Sequence, residues 1–243
     1  MQGLILAAGA SRRLYPLTEK TPKCLLDIGG LPILSHQLNA LKEYNINEVI
    51  IVLGYYKEMI IDYINKNHSE MKFTFITNNH YLDTNTSYSA YLCKDFLSSS
   101  DTLLMNGDVL YPPILLKQII DSNYETVLAV DIKRCGDEEV KVITNDKKRI
   151  ISIGKELDIE NSLGEFIGVA KLSTPFCNSF ASSLSKLIDD GGQSDYFESA
   201  IEPMLIKHDV FFEDISHLPC IEIDFKEDLQ KANVLVNNKL YNI

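Results

Sequence analysis

The stretch Gln2–Leu26 constrains this chain more than any other. Gly3 to Ala8 is an apolar run without a polar face, the pattern of a strand buried on both sides in a parallel sheet. The run ends in small residues. Ala7, Ala8, Gly9, Ala10 and Ser11 carry so little side chain that backbone N–H groups can approach a ligand, and Gly9 can take a positive φ if the turn requires one. Arg12, Arg13, Lys20 and Lys23 follow directly. A bare backbone loop at the end of a buried strand, flanked by four cations, is a phosphate site, because open N–H groups and fixed positive charge both favour an anion.

Downstream, the hydrophobic spacing predicts alternating helices and strands. Helices are expected over Pro32–Tyr44 and Tyr56–Asn67, with strands over Val49–Leu53 and Phe73–Ile76. That alternation is a doubly wound α/β arrangement, in which ligands sit at the carboxyl ends of strands. Thr102–Met105 reads as another buried strand, ending in Asn106-Gly107-Asp108. A carboxylate there is well placed for Mg²⁺, although Gly-Asp is also a common turn pair. A helix over Pro112–Ser122, a strand over Thr126–Ile132, a hairpin of Val140–Thr144 with Arg149–Ile153, a strand over Leu163–Leu172 and a helix over Thr174–Leu187 come next. A helix over Ser194–Ile206, sheet-closing strands over Val210–Ile215 and Cys220–Ile223, and a helix over Phe225–Leu240 complete the chain. With no repeat or linker, one domain of residues 1–243 is expected, 1–110 forming a nucleotide-binding half and 111–243 an acceptor-binding half.

Composition removes several classes. The net charge of −11 opposes a nucleic-acid-binding face, whereas a small polyphosphate needs only local cations and a divalent metal. No stretch approaches 18 uncharged apolar residues, and the N-terminus has neither a basic leader nor a cleavage site. Five scattered cysteines without Cys-x-x-Cys, and five histidines without a zinc motif, suggest reduced thiols and a cytoplasmic protein.

The N-terminal loop is neither a Walker loop nor a dinucleotide loop, since it lacks Gly-x-x-x-x-Gly-Lys-Ser/Thr and Gly-x-Gly-x-x-Gly. It resembles the signature of the sugar-phosphate nucleotidyltransferase superfamily through Ala7, Ala8, Gly9, Arg13, Leu14, Pro16, Leu17, Thr18, Pro22 and Lys23. It departs at Ser11-Arg12, where the family usually has Gly followed by Ser or Thr. The resemblance extends over nearly the whole chain and is strongest to the small cytidylyltransferase branch. It implies a Rossmann-like, mixed, mainly parallel sheet with helices on both faces, and a nucleotide site of Leu6 to Arg13, Lys23, Asn106 and Gly107. Arg13 would hold the β- and γ-phosphates and Lys23 the α-phosphate, while Asp108 and Asp224 would bind Mg²⁺. Asp224, in Glu-Ile-Asp-x-x-Glu-Asp-Leu, is alternatively the cap of the following helix.

In the same branch the loop Asn-x-x-Tyr-x-x-x-Asn-x-x-x-Ser matches Asn78, Tyr81, Asn85 and Ser89, with Thr86 beside Asn85. These residues would read the base and border the acceptor pocket; by residue type alone, Asn85 is equally a helix cap. Lys141 and Lys155 match lysines that face the acceptor phosphate, although single lysines are commonly solvated. Glu165 lies in Gly-Glu-Phe-Ile-Gly, where the branch typically has tyrosine at the third position. Tyr196 and Glu198 combine an aromatic and an acid as a cation pocket would, and Glu198 also suits a helix start.

The resemblance implies transfer of CMP from CTP to a small phosphorylated metabolite, with pyrophosphate released. L-Glutamine phosphate, as in capsular phosphoramidate synthesis, is the favoured acceptor, with phosphocholine, 2-aminoethylphosphonate and sugar 1-phosphates as alternatives. A nucleotide-sugar-dependent glycosyltransferase would have no reason to keep Arg13 and Lys23, and a non-catalytic nucleotide-binding protein could dispense with Asp108 or Asp224. Neither a nucleic acid nor a membrane is an expected partner, and a homodimer is compatible with the sequence.

Overall fold

The computed structural model describes residues 1–237 and 241. In chain order the elements are β1 (Gln2–Ala7), β2 (Asp27–Ile28), β3 (Leu31–Pro32), α1 (Ile33–Glu43), β4 (Glu48–Leu53), α2 (Lys57–Asn67), β5 (Lys72–Thr77), α3 (Thr86–Tyr91), α4 (Lys94–Leu97), β6 (Thr102–Asn106) and β7 (Val109–Leu110). They continue with α5 (Ile114–Asp121), β8 (Val127–Asp131), β9 (Lys141–Thr144), β10 (Ile150–Gly154), β11 (Gly164–Leu172), α6 (Thr174–Asp189), α7 (Glu198–Ile201), β12 (Phe211–Asp214), β13 (Ile221–Glu222) and α8 (Lys226–Asn237). The expected mixed α/β architecture is present. Among the described residues no helix is long and apolar enough to cross a membrane.

The chain forms two compact units that interleave in sequence, so each draws on both halves expected from sequence. One contains Gln2–Asp83, Met105–Lys117 and the described residues from Leu218 onward; the other contains Thr84–Leu104 and Gln118–His217. In the first, β1, β4 and β5 run parallel, with Gly3 opposite Val49 and Glu48 opposite Lys72. Leu4, Ile5, Ile51, Val52 and Leu53 are wholly buried, as a parallel strand covered by helices requires. A second core, formed by Leu14, Leu26, Ile28, Ile33, Leu110, Ile223, Ala232 and Tyr241, joins the N-terminal loop to the C-terminal segment. Each of its leucine and isoleucine side chains contributes about 1.5–3 kcal/mol of burial.

In the other unit, β8 lies antiparallel to β11 and parallel to β12, and the β9–β10 hairpin continues from β11. The hairpin forms where the alternation places it, with Ile150 opposite Thr144.

Two expectations are corrected. Cys220–Ile223 does not close the main sheet: Ile221–Glu222 pairs antiparallel with Val109–Leu110 as a separate ribbon. Ser194–Ile206 is not one helix, because Asp195 is extended, the Phe197 N–H is taken by Thr86 Oγ1, and Pro203 opens a new 3-10 turn, leaving only α7 between. The final helix is described to Asn237, and its expected continuation over 238–240 lies outside the described residues.

Candidate active site

Strand β1 delivers the chain into the loop that carries the first cations. Gly9 does not use a positive φ; Ser11 does, at +48°, so the residue that departs from the resemblance occupies the backbone conformation that favours glycine. The loop folds back on itself as the buried Thr18 hydroxyl donates to Ser11 O at 2.8 Å. Tyr55 Oη reaches Thr18 O and Glu19 O, each at 2.9 Å, from the segment after β4. Leu14 is pinned in the core, which leaves Arg12 and Arg13 exposed.

Asp108 enters from the turn between β6 and β7. Gly107 is obligatory here, because a Cβ would stand 2.8 Å from Leu6 O and 2.9 Å from Ala7 Cβ, and its N–H donates to Leu6 O. The β7–β13 ribbon sets Glu222 opposite Val109, and Ile223 N–H donates to Asp108 O at 3.0 Å. Residues more than a hundred positions apart are thereby brought together.

The resulting constellation is compact. Lys23 Nζ lies 2.8 Å from Asp108 Oδ2 and 2.9 Å from Asp224 Oδ1, and Arg13 Nη2 lies 2.7 Å from Asp224 Oδ2. The Arg13 guanidinium also rests over the Phe225 ring, 5.1 Å from its centre. Leu6, Ala7, Gly9, Ser11, Lys23, Gly107 and Asp108 line one open cavity. Burial works against the Lys23 charge, but Asp108 and Asp224 together outweigh it and hold its pKa above the ordinary lysine value. Its neighbour Cys24, buried beside it, has its thiol pushed up to about 12, chiefly by burial, and is no nucleophile at neutral pH. All five cysteines are free thiols.

Asp224 does not spend its carboxylate on a helix cap. Both its oxygens face cations, and it is Asp228 Oδ2 that accepts from the N–H groups of Asp224 and Phe225. Glu222, absent from the expected site, joins the acids: one oxygen each from Asp108, Glu222 and Asp224 lies within 4.8 Å of the others. Nothing local in the sequence marks it; the pairing of Ile221–Glu222 with Val109–Leu110 is what brings Glu222 beside Asp108. Asp108 Oδ1 is buried without a hydrogen-bond partner. An under-satisfied carboxylate oxygen among hard oxygen donors, beside the small-residue loop after β1, fits a divalent cation such as Mg²⁺.

The remaining predicted residues are distributed over both units. Asn78 is buried in the first, its Oδ1 accepting from His80 N, and Tyr81 packs beside Tyr55. Ala8 O accepts from Tyr55 N, and Ala10 is half-buried. In the other unit Asn85 caps α3 by accepting from Thr86 N, Thr86 Oγ1 accepts from Phe197 N, and Ser89 is buried. Lys155 Nζ sits 4.2 Å over the centre of the Tyr196 ring. Glu198 is buried, with Oε2 unpartnered, and burial raises its carboxyl to about 7 against the opposing effects of a backbone hydrogen bond and the Lys155 charge. Glu165 pairs with Lys133 at 2.6 Å. Lys141 is buried, and its ammonium donates to the carbonyls of Asp137, Glu139 and Lys155. Its charge therefore shapes the segment leading to Lys155.

A loop of exposed backbone, two cations and convergent acids define a nucleotidyltransferase. Residues 2–148 match the nucleotidyl transferase family model, and the chain belongs to that family. Its relatives include the choline-phosphate cytidylyltransferase of Streptococcus pneumoniae, 29% identical over 98% of this chain and 100% of that protein. The CTP:phosphoglutamine cytidylyltransferase of Campylobacter jejuni is 28% identical over 95% of this chain and 98% of that protein. Among solved structures, the CTP:phosphocholine cytidylyltransferase from S. pneumoniae superposes with a TM-score of 0.79 at 25% identity, covering 97% of this chain and 98% of that one. The inositol-1-phosphate CTP transferase from T. maritima shares the fold, with a TM-score of 0.78 at 20% identity over 98% and 96% of the two chains.

Proposed function

We propose that the protein is a Mg²⁺-dependent cytidylyltransferase that transfers CMP from CTP to a small phosphorylated metabolite in the cytoplasm. The observation that carries this reading is the meeting of Lys23, Asp108 and Asp224 at the mouth of the β1 loop. An oxygen of the acceptor's phosphate bonds to the α-phosphorus of CTP as the bond from that phosphorus to the pyrophosphate oxygen breaks. A phosphomonoester has a second pKa near 6, so the attacking oxygen is already ionised at neutral pH and no general base is needed. The obstacle is the approach of two anions, which makes positioning and charge neutralisation the work of the site.

The Ala7–Ser11 backbone receives the nucleoside, Arg13 with Arg12 holds the β- and γ-phosphates, and Lys23, kept cationic by its two carboxylates, lies against the α-phosphate. Asp108 and Asp224, with Glu222, would hold Mg²⁺, which neutralises triphosphate charge and aids loss of pyrophosphate. Lys155, Tyr196 and Glu198 contact the acceptor, and Lys141 supports Lys155. Because Lys155 covers the Tyr196 face and Glu198 is pushed toward its neutral form, a hydrogen-bonding acceptor suits these groups better than a quaternary ammonium. That favours L-glutamine phosphate, and with it a role in modifying surface polysaccharide. Full-length similarity to the pneumococcal enzyme keeps phosphocholine as the second reading.

The test is pyrophosphate release with each of four nucleoside triphosphates against L-glutamine phosphate, phosphocholine, 2-aminoethylphosphonate and sugar 1-phosphates. CTP with L-glutamine phosphate should turn over fastest, and chelation of divalent metal should abolish release. Lys23→Met should lower kcat by about 10²–10⁴, the range for losing a preorganised charge at a reacting centre. Near-normal turnover in that variant would defeat the assignment.

A further inference from the structure

The turn that carries Asp108 is supported by a side chain outside the site. Gln37 lies in the middle of α1 and is 1% exposed. Its Nε2 donates to Asn106 O at 2.8 Å and to Val109 O at 2.9 Å, the carbonyls on either side of Gly107-Asp108. Both amide hydrogens are thus used on one turn, and the two carbonyls fix the amide orientation, since a flipped Oε1 would meet them as a third acceptor. Gln37 Oε1 is itself buried without a partner. A buried amide that satisfies two backbone carbonyls while leaving its own oxygen unbonded is poorly explained by stability alone, because an unmet buried acceptor is costly.

Its geometric effect is specific. Gly107 N–H is tied to Leu6 O, and Asp108 O receives Ile223 N–H. With the carbonyls of residues 106 and 109 tied to Gln37, the backbone of the turn is fixed on all sides, and Asp108 Oδ1 is left buried and unbonded. We infer that Gln37 is a positioning residue that holds the Asp108 carboxylate in register with Glu222 and Asp224 for a divalent cation. This rests on the reading of Asp108 as a metal ligand. Gln37 touches no reacting group; it acts through the turn, as outer-shell partners of metal ligands do.

The test compares Gln37→Met, which keeps length and removes both donors, with Ser35→Ala on the same helix. Ser35 is equally buried and bonds Tyr63 and His68, so its loss perturbs α1 without reaching the Asp108 turn. Mn²⁺ binding to the full chain, with CTP present and acceptor absent, is measured by electron paramagnetic resonance and calorimetry alongside thermal stability. The metal affinity of Gln37→Met should fall about 10–100-fold. Ser35→Ala should lose stability but keep wild-type affinity. Wild-type affinity in Gln37→Met, or the same loss in both variants, overturns the assignment. Asp108→Asn separates the two layers: if it binds Mn²⁺ as wild type does, the metal-ligand reading fails and this one with it. If it loses Mn²⁺ while Gln37→Met does not, only the role of Gln37 fails.

Discussion

Glu198→Gln should make the protein more stable in alkaline buffer and leave it almost unchanged in mild acid. Burial raises the folded-state carboxyl from 4.5 to about 7, opposed by a backbone hydrogen bond and by the Lys155 charge. Between those two values the native chain holds a proton that the unfolded chain has released, so stability falls as pH rises. The loss starts near pH 4.5 and is complete above about pH 7. A shift from 4.5 to about 7 corresponds to roughly 3 kcal/mol at 1.36 kcal/mol per pH unit. Glutamine has the shape of the protonated acid and never ionises. The variant should therefore match wild type at pH 4.5 and exceed it by up to roughly 3 kcal/mol at pH 8, or about 6–12 °C in Tm for a chain of this size. Urea melts of both proteins at half-unit steps from pH 4.5 to 9 measure the difference directly, because the titrations they share cancel. Since the Lys155 charge favours the ionised form, Lys155→Met should widen the gap. Parallel stability profiles would refute the reasoning.

Other substitutions address the loop after β1 and the residues that hold it. Ser11→Gly should relieve about 1 kcal/mol of left-handed strain, less what glycine loses through a freer unfolded chain, and raise Tm by about 1–2 °C. Gly107→Ala drives a Cβ into Leu6 O and Ala7, backbone that cannot yield, and should cost about 1–3 kcal/mol by denaturant melts. The same variant should weaken metal-dependent CTP binding in a calorimetric titration. Tyr55→Phe removes the hydroxyl shared by Thr18 O and Glu19 O, worth about 1 kcal/mol, and should raise KM for CTP more than it lowers kcat.

The first 77 residues were legible because their information is local and periodic. The buried run of β1, the bare loop and the Arg13–Lys23 spacing announce themselves in 25 consecutive residues, and the helix and strand alternation through Thr77 follows hydrophobic period alone. What stayed hidden depends on pairing. The strand Val109–Leu110 is too short to signal itself, and only its partner Ile221–Glu222 makes it a strand. Without that ribbon, Glu222 reads as one more acid near the C-terminus. Gln37 was hidden for the same reason, because a glutamine on a helix becomes informative only when the carbonyls it meets are known.

The residues proposed to meet the acceptor are obscured by a different cause. In the unit that carries them, the polar groups satisfy one another: Lys133 with Glu165, Lys141 with three carbonyls, Lys155 with the Tyr196 ring. Residue type tells which groups can bind an ammonium or a phosphate, but not which are already engaged. Of this set Glu198 has a buried oxygen without a partner, and its ionisation near neutral pH depends on what stands next to it. An acceptor that donates a hydrogen bond to that oxygen stabilises the carboxylate and should lower the carboxyl's pKa. One that presents only apolar surface should raise it. L-Glutamine phosphate and phosphocholine each carry a cationic end that favours the carboxylate, so a lowered Glu198 titration on adding either one, followed by carbon-13 chemical shift of the carboxyl, would report that the acceptor's cationic end lies beside Glu198, independently of turnover.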